Sequence, residues 1–126
     1  MTPAVLRDLV NADEALVRRG RLVRGTVRID VGGERWYLTI EQGRIAEAGT
    51  EVPGGAQTRL SLSAGQEEWD AFWEAEPRPG HHDLMALLRR RVLTVEGDTH
   101  LFMSHLRYIK DVLEKPRSVA TRRIPS

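Results

Sequence analysis

Near the N-terminus, apolar side chains recur at helical spacing. Val5, Leu9, Ala12 and Leu16 share a face, flanked by Leu6, Val10 and Val17. Thr2 before Pro3 is a helix start, a hydroxyl cap followed by a proline where no N–H is needed, and Gly20 is a stop. The pattern predicts one amphipathic helix over 3–19. The period then changes to two. Val23, Gly25, Val27, Ile29 and Val31 alternate with Arg24, Thr26, Arg28 and Asp30. Gly32-Gly33 marks a tight hairpin, and Trp36, Leu38 and Ile40 return on one face. Gln42-Gly43 turns into a weaker third strand around Arg44–Ala48. This three-stranded meander has one wet face and one dry face, and the dry face needs a cover.

After a loop around Pro53-Gly54-Gly55, Thr58–Ser63 alternates again, with Leu60 and Leu62 on its dry side. Ser63-Ala64-Gly65-Gln66 has capping-box spacing and opens a helix that carries Trp69, Phe72 and Trp73. Pro77 and Pro79 end that helix. Leu84, Met85, Leu87 and Leu88 make a second, shorter one. Val92–Glu96 reads as a fifth strand, and Gly97-Asp98 turns into a last helix that ends at Pro116. The sum is an α+β domain: a five-stranded, mostly antiparallel sheet with helices packed on one face. Because the connection between the fourth and fifth strands is helical, those two are expected to be parallel, joined by a right-handed crossover.

Composition narrows the function classes. The chain has 126 residues, 40% hydrophobic and 29% charged, as expected of one globular domain over 1–115 with a loose basic tail over 116–126. Nineteen basic against eighteen acidic residues give a net charge of +1, too little basic excess for a dedicated nucleic-acid binder. Cysteine is absent, so disulfides, thiol nucleophiles and cysteine metal sites are excluded. No segment has a signal-peptide or membrane-spanning pattern, and a cytoplasmic protein is expected.

The densest chemistry lies in His81-His82-Asp83, after the Pro79-Gly80 turn. Adjacent histidines rarely aim at one ion, and Asp83 stands where a carboxylate caps a helix, so the reading is a helix cap and no metal site. His105 falls on the apolar flank of the last helix. Such a histidine is ordinarily a hydrogen-bonded core residue; the alternative is the one polar group of a ligand cavity. Ser61, Ser63 and Ser104 lack a nucleophile elbow, and no glycine run has phosphate-loop spacing. No catalytic residue and no cofactor is expected. What stands out is apolar supply on short, proline-bounded helices: Trp69, Phe72 and Trp73, then Leu84-Met85-Ala86-Leu87-Leu88. Aromatics and a methionine so placed suit either a filled core or an adaptable cavity.

Three stretches carry a resemblance: the meander Val27–Val31 with Trp36–Ile40; the step from Leu60-Ser61-Leu62-Ser63 into the Trp69 helix; and Leu93-Thr94-Val95-Glu96-Gly97-Asp98 running into a C-terminal helix. In this order they resemble the sterol carrier protein type 2 domain, over roughly 20–114. The resemblance implies a five-stranded sheet with an apolar tunnel under its helices, and non-catalytic binding of a lipid-like molecule. Carried over, Trp36 and Leu38 form the tunnel floor. Phe72, Trp73, Met85, Leu88, Phe102 and Leu106 form the walls, with Trp69 and His105 completing the candidate ligand set. His81 and His82 then stand at the tunnel lip.

Two departures bear on the ligand. Arg90-Arg91 stands where the family often has Gly-Lys, and the C-terminal Ile124-Pro125-Ser126 is no peroxisomal address, which resembles bacterial stand-alone members. A fatty acyl or isoprenoid chain is therefore expected ahead of a sterol. Arg89, Arg90 and Arg91 are positioned to meet an acidic headgroup or an anionic membrane. Two other readings stay open: an accessory or interaction subunit with a filled core, and a small enzyme using His105 or His81 as a base. Pairing of two copies through an edge strand is also open.

Overall fold

A computed structural model describes residues 1–55 and 57–120. The five strands are β1 (Arg24–Val31), β2 (Glu34–Glu41), β3 (Arg44–Gly49), β4 (Thr58–Ala64) and β5 (Thr94–Gly97). They form one sheet in the order β3-β2-β1-β4-β5. The helices are α1 (Pro3–Asn11), α2 (Glu14–Arg19), α3 (Gln66–Phe72), α4 (Leu84–Arg89), α5 (Thr99–Ser104) and α6 (Leu106–Glu114). A 3-10 turn over Lys115–Val119 follows. The fold is the expected α+β arrangement with a mostly antiparallel sheet.

The β1–β2 hairpin pairs Val27 with Leu38 and Ile29 with Trp36. Strand alternation then puts Val27, Ile29, Val31, Trp36, Leu38 and Ile40 on one face, where all are buried. Leu60 and Leu62 of β4 extend that face, and Leu6, Val10, Leu16, Leu84, Leu87, Phe102 and Tyr108 from the helices close over it as one core.

Strand direction differs from expectation. β5 is antiparallel to β4, with Ser63 opposite Thr94, and the parallel pair is β1 with β4. The reason lies in the connection. One helix crosses a sheet once and delivers a parallel strand, whereas two helices separated by the Pro77–Pro79 turn return the chain to the end it left. The parallel partnership falls instead to β1 and β4, whose connection carries β2, β3 and the Pro53 loop.

Both long helices are broken. The expected helix over 3–19 divides at Ala12-Asp13, where the Asp13 carboxylate accepts from Leu16 N and starts α2 afresh. Asn11, the last residue of α1, pairs its side-chain amide with the Ile45 backbone, donating to its carbonyl and accepting from its N–H, both at 2.9 Å. The last helix divides at His105 (φ −121°, ψ 29°). Ser63 does not cap α3. Its hydroxyl donates to Asp30 Oδ2 at 2.9 Å, and Gly65 stands at the cap without a side-chain bond. The stretch from Pro116, expected to be loose, begins in the 3-10 turn: Pro116 is buried, and Arg117 donates to the carbonyls of Phe72, His81 and His82. Residues 121–126 lie outside the described residues.

Candidate functional site

The aromatic helix α3 lies directly over the sheet floor. Trp69 and Trp73, one turn apart, share a face, and Trp73 is sandwiched between two indoles. Its ring centroid is 5.6 Å from Trp36 and 5.4 Å from Trp69, with interplanar angles of 13° and 22°. Phe72 meets Trp69 edge-on at 5.8 Å. Every indole N–H has an acceptor: Trp36 on Glu34 Oε1, Trp69 on the Asp30 carbonyl, Trp73 on the Leu113 carbonyl. Desolvating an indole without such a partner is costly, so these bonds fix the stack's geometry as well as its depth.

Most of the residues singled out from sequence therefore come together. Trp36, Leu38, Trp69, Phe72, Trp73 and Phe102 belong to the buried core, and Met85, Leu88 and Leu106 pack against it while partly exposed. His105 is the exception. It sits at the α5–α6 junction, partly exposed and outside the apolar cluster, and its ring forms no hydrogen bond with a described residue. A broken helix turns it off the apolar flank on which a continuous helix would have placed it.

Of the partly exposed apolar residues packed against the core, Ala48 and Ala64 lie on β3 and β4, and the larger ones mark a seam along α4, β5 and α6. Met85 and Leu88 on α4, Val92 on the link that follows, Val95 on β5 and Leu106 on α6 are apolar side chains in contact with the core that retain access to solvent. β5 has only four residues and lies at the sheet edge. The exposed guanidinium-bearing residues Arg89, Arg90 and Arg91 lead out of α4 at this side, with Arg91 in the left-handed region at φ +61°. Asp83 caps α4 by accepting from Met85 N at 2.9 Å, as the sequence predicted, and also pairs with Lys110 of α6 at 2.9 Å. Burial opposes ionisation of Asp83, but these two bonds win and hold its carboxyl below the usual value.

The His81-His82-Asp83 turn is a strap. The His81 ring faces Glu68 of α3 at 2.9 Å and Arg90 at 3.2 Å, while its Nδ1 is buried without a partner. His82 is exposed. The carbonyls of both histidines are held by Arg117, whose guanidinium also lies 4.4 Å above the Phe72 ring. Sequence reading missed Glu68 and Arg117, which stand 13 and 36 residues from His81. Neither spacing carries a local signal. Among the described residues no three His, Asp or Glu side chains converge as a metal set, and no helix is long and apolar enough to cross a membrane.

No protein-family profile and no curated protein sequence matches the chain. Solved structures do. The crystal structure of sterol carrier protein 2 aligns at a TM-score of 0.75 and 18% identity, over 94% of this chain and 95% of that one. The ubiquinone synthesis protein UbiJ-SCP2 aligns at 0.61 and 16%, over 90% of each. Sterol carrier protein 2 from Yarrowia lipolytica, in its apo form, aligns at 0.60 and 14%, over 90% of this chain and 88% of that one. The chain thus has the sterol carrier protein 2 fold along almost its whole length.

Proposed function

We propose that this protein is a non-catalytic carrier of a lipid-like molecule with a fatty acyl or isoprenoid chain, taken up between the sheet and the helices. The observation that carries this reading is the incomplete burial of the larger apolar residues packed against the core, all five of which lie on α4, the link after it, β5 or α6. Met85, Leu88, Val92, Val95 and Leu106 pack against the same core that holds Trp36, Trp69 and Trp73, so an apolar chain entering between sheet and helices beside them would meet the aromatic stack. Methionine and leucine on a short helix can repack around a guest without breaking hydrogen bonds. The fold it shares with sterol carrier protein 2 supports the reading. Arg89, Arg90 and Arg91 beside the seam suit an acidic headgroup or brief contact with an anionic membrane, and a protein without cysteine suits the cytoplasm.

Binding is driven by apolar burial, at roughly 0.8 kcal/mol per methylene. Affinity then rises about tenfold for every two methylenes until the chain fills the available space. All three tryptophans of the protein are in the stack, so intrinsic fluorescence reads the core directly. Titration with fatty acids of increasing length is expected to change the emission saturably, with the stated length dependence. Met85→Glu, which places a charge in the seam, abolishes the response. Unchanged emission with every fatty acid and isoprenoid alcohol would favour a second reading, an accessory subunit with a filled core. That reading draws on one observation: the three stacked indoles, each with its N–H satisfied, fill part of the core between sheet and helices that a guest would use.

A further inference from the structure

A cleft of about 920 Å³ lies at the end of the β1–β2 pair where Arg24 faces Glu41. It is separate from the seam. Thr26 and Thr39, opposed in register on its floor, alternate with Val27 and Leu38 and so point away from the apolar core. We propose that this cleft binds phosphate-bearing small molecules, independently of any lipid carried on the other face.

The cleft is built around arginine. Arg59 donates to the Arg24 carbonyl at 2.6 Å and pairs with Asp98 at 2.8 Å, which fixes its guanidinium at the wall. Its stem lies against Gly25, where a Cβ would stand 2.4 Å from Arg59 Cδ and where φ is +128°. Only glycine lets the arginine lie there. The β1–β4 register slips between Thr26 and Val27, next to that contact, and such irregularities commonly re-aim side chains at sites. Arg44 is held at another part of the lining by Glu14 and the Asn11 carbonyl. Arg24 is exposed and makes no ion pair with a described residue, so its guanidinium is free for a ligand.

Two polar groups complete the floor and rim. The Thr39 hydroxyl is buried without a hydrogen-bond partner. Gln42 is held at φ +51°, a strained setting for a residue with a side chain, by a turn in which Gly43 packs against the carbonyl of Val17. Arg44 and Arg59 are already paired with Glu14 and Asp98, so the guanidinium offered to an anion is that of Arg24, beside Glu41, and a guanidinium fork matches an anion with several oxygens. The cleft falls in the size range of small-molecule sites, which exceeds what a bare phosphate fills and favours a phosphate ester or diphosphate. A soluble phosphate ester and a phospholipid headgroup share this chemistry.

The test is titration calorimetry of the full chain with inorganic pyrophosphate, beside sedimentation with phosphatidylglycerol and with phosphatidylcholine vesicles. Saturable pyrophosphate binding is expected, weakened about tenfold in Arg24→Ala and reduced in Thr39→Val. Arg24 is exposed and the Thr39 hydroxyl is buried and unpaired, so neither variant melts below the wild type. Met85→Glu leaves pyrophosphate binding intact. Binding confined to phosphatidylglycerol vesicles, with the same sensitivity to Arg24→Ala, also upholds the site and assigns the phosphate to a lipid headgroup. The proposal is overturned if neither probe binds, or if both variants bind as the wild type does.

Discussion

Tyr108 locks α6 onto the end of the sheet at the β2–β3 turn. Its hydroxyl donates to the Gly43 carbonyl at 2.6 Å, and its ring fills the space beside Gly20, where a Cβ would stand 2.2 Å from Tyr108 Cε1. Tyr108→Phe keeps the ring and deletes the hydroxyl, leaving a buried acceptor without its donor, a loss of about 2 kcal/mol. For a chain of this length each kcal/mol moves the melting temperature by roughly 3–5 °C, so the variant is expected to melt about 6–10 °C lower at pH 7. The pH dependence supplies a second reading of the same contact. Burial pushes the phenol above its ordinary value of 10.0. Its contribution is therefore complete below pH 10 and is lost above, because the unfolded chain releases the proton while the folded protein holds it. The limiting slope is about 1.4 kcal/mol per pH unit. Thermal melts of wild type and Tyr108→Phe from pH 7 to 11 should start apart and converge, since the variant lacks this alkaline loss. Equal melting temperatures at pH 7, or parallel curves up to pH 11, would refute the assignment of Tyr108 as the lock at this end.

Arg117→Ala removes the donor to three backbone carbonyls and the cation over Phe72. It is expected to cost about 1–3 kcal/mol and to raise amide exchange selectively in the connector from Arg78 to Asp83, measured by hydrogen exchange. Lysine at this position cannot span the three acceptors and restores little of the loss. Gly43→Ala drives a methyl to 2.2 Å from the Val17 carbonyl at φ +83°; a loss of about 3 kcal/mol or more in urea unfolding is expected. Asp83→Asn keeps the helix cap but not the charge facing Lys110. Because the folded carboxyl is held below its ordinary 3.8, its stabilisation is present above that value and fades as pH falls below it. The variant should melt lower at pH 7 and lose less than the wild type between pH 4 and pH 2.

What the sequence revealed divides along the range of the forces involved. The alternation of Val27, Ile29 and Val31 and the Gly32-Gly33 turn specify a hairpin locally, and its register is the one the pattern demands. The Asp83 cap is equally local. Chain direction in β5 was not legible, because it depends on whether the helices between β4 and β5 make one pass or two. Neither helix break was legible either. The apolar period runs on past both breaks, and the one at Ala12-Asp13 follows Asn11, whose side chain pairs with the backbone of Ile45, 34 residues away from it. The aromatic cluster shows the same division: Trp69 and Trp73 share a helical face by spacing alone, whereas the insertion of Trp73 against Trp36 needs the sheet to be in place. Likewise the resemblance placed His81 at a lip, but its Glu68 and Arg90 contacts come from packing α3 against the end of α4.

The claim that most needs testing is that the space between sheet and helices receives a lipid-like guest through the α4–β5–α6 seam. Native and denaturing mass spectrometry of the protein purified without detergent tests it directly. The account predicts a stoichiometric apolar molecule released on unfolding, or taken up when fatty acids and isoprenoids are supplied. A clean mass of the bare chain that none of these ligands shifts would contradict it.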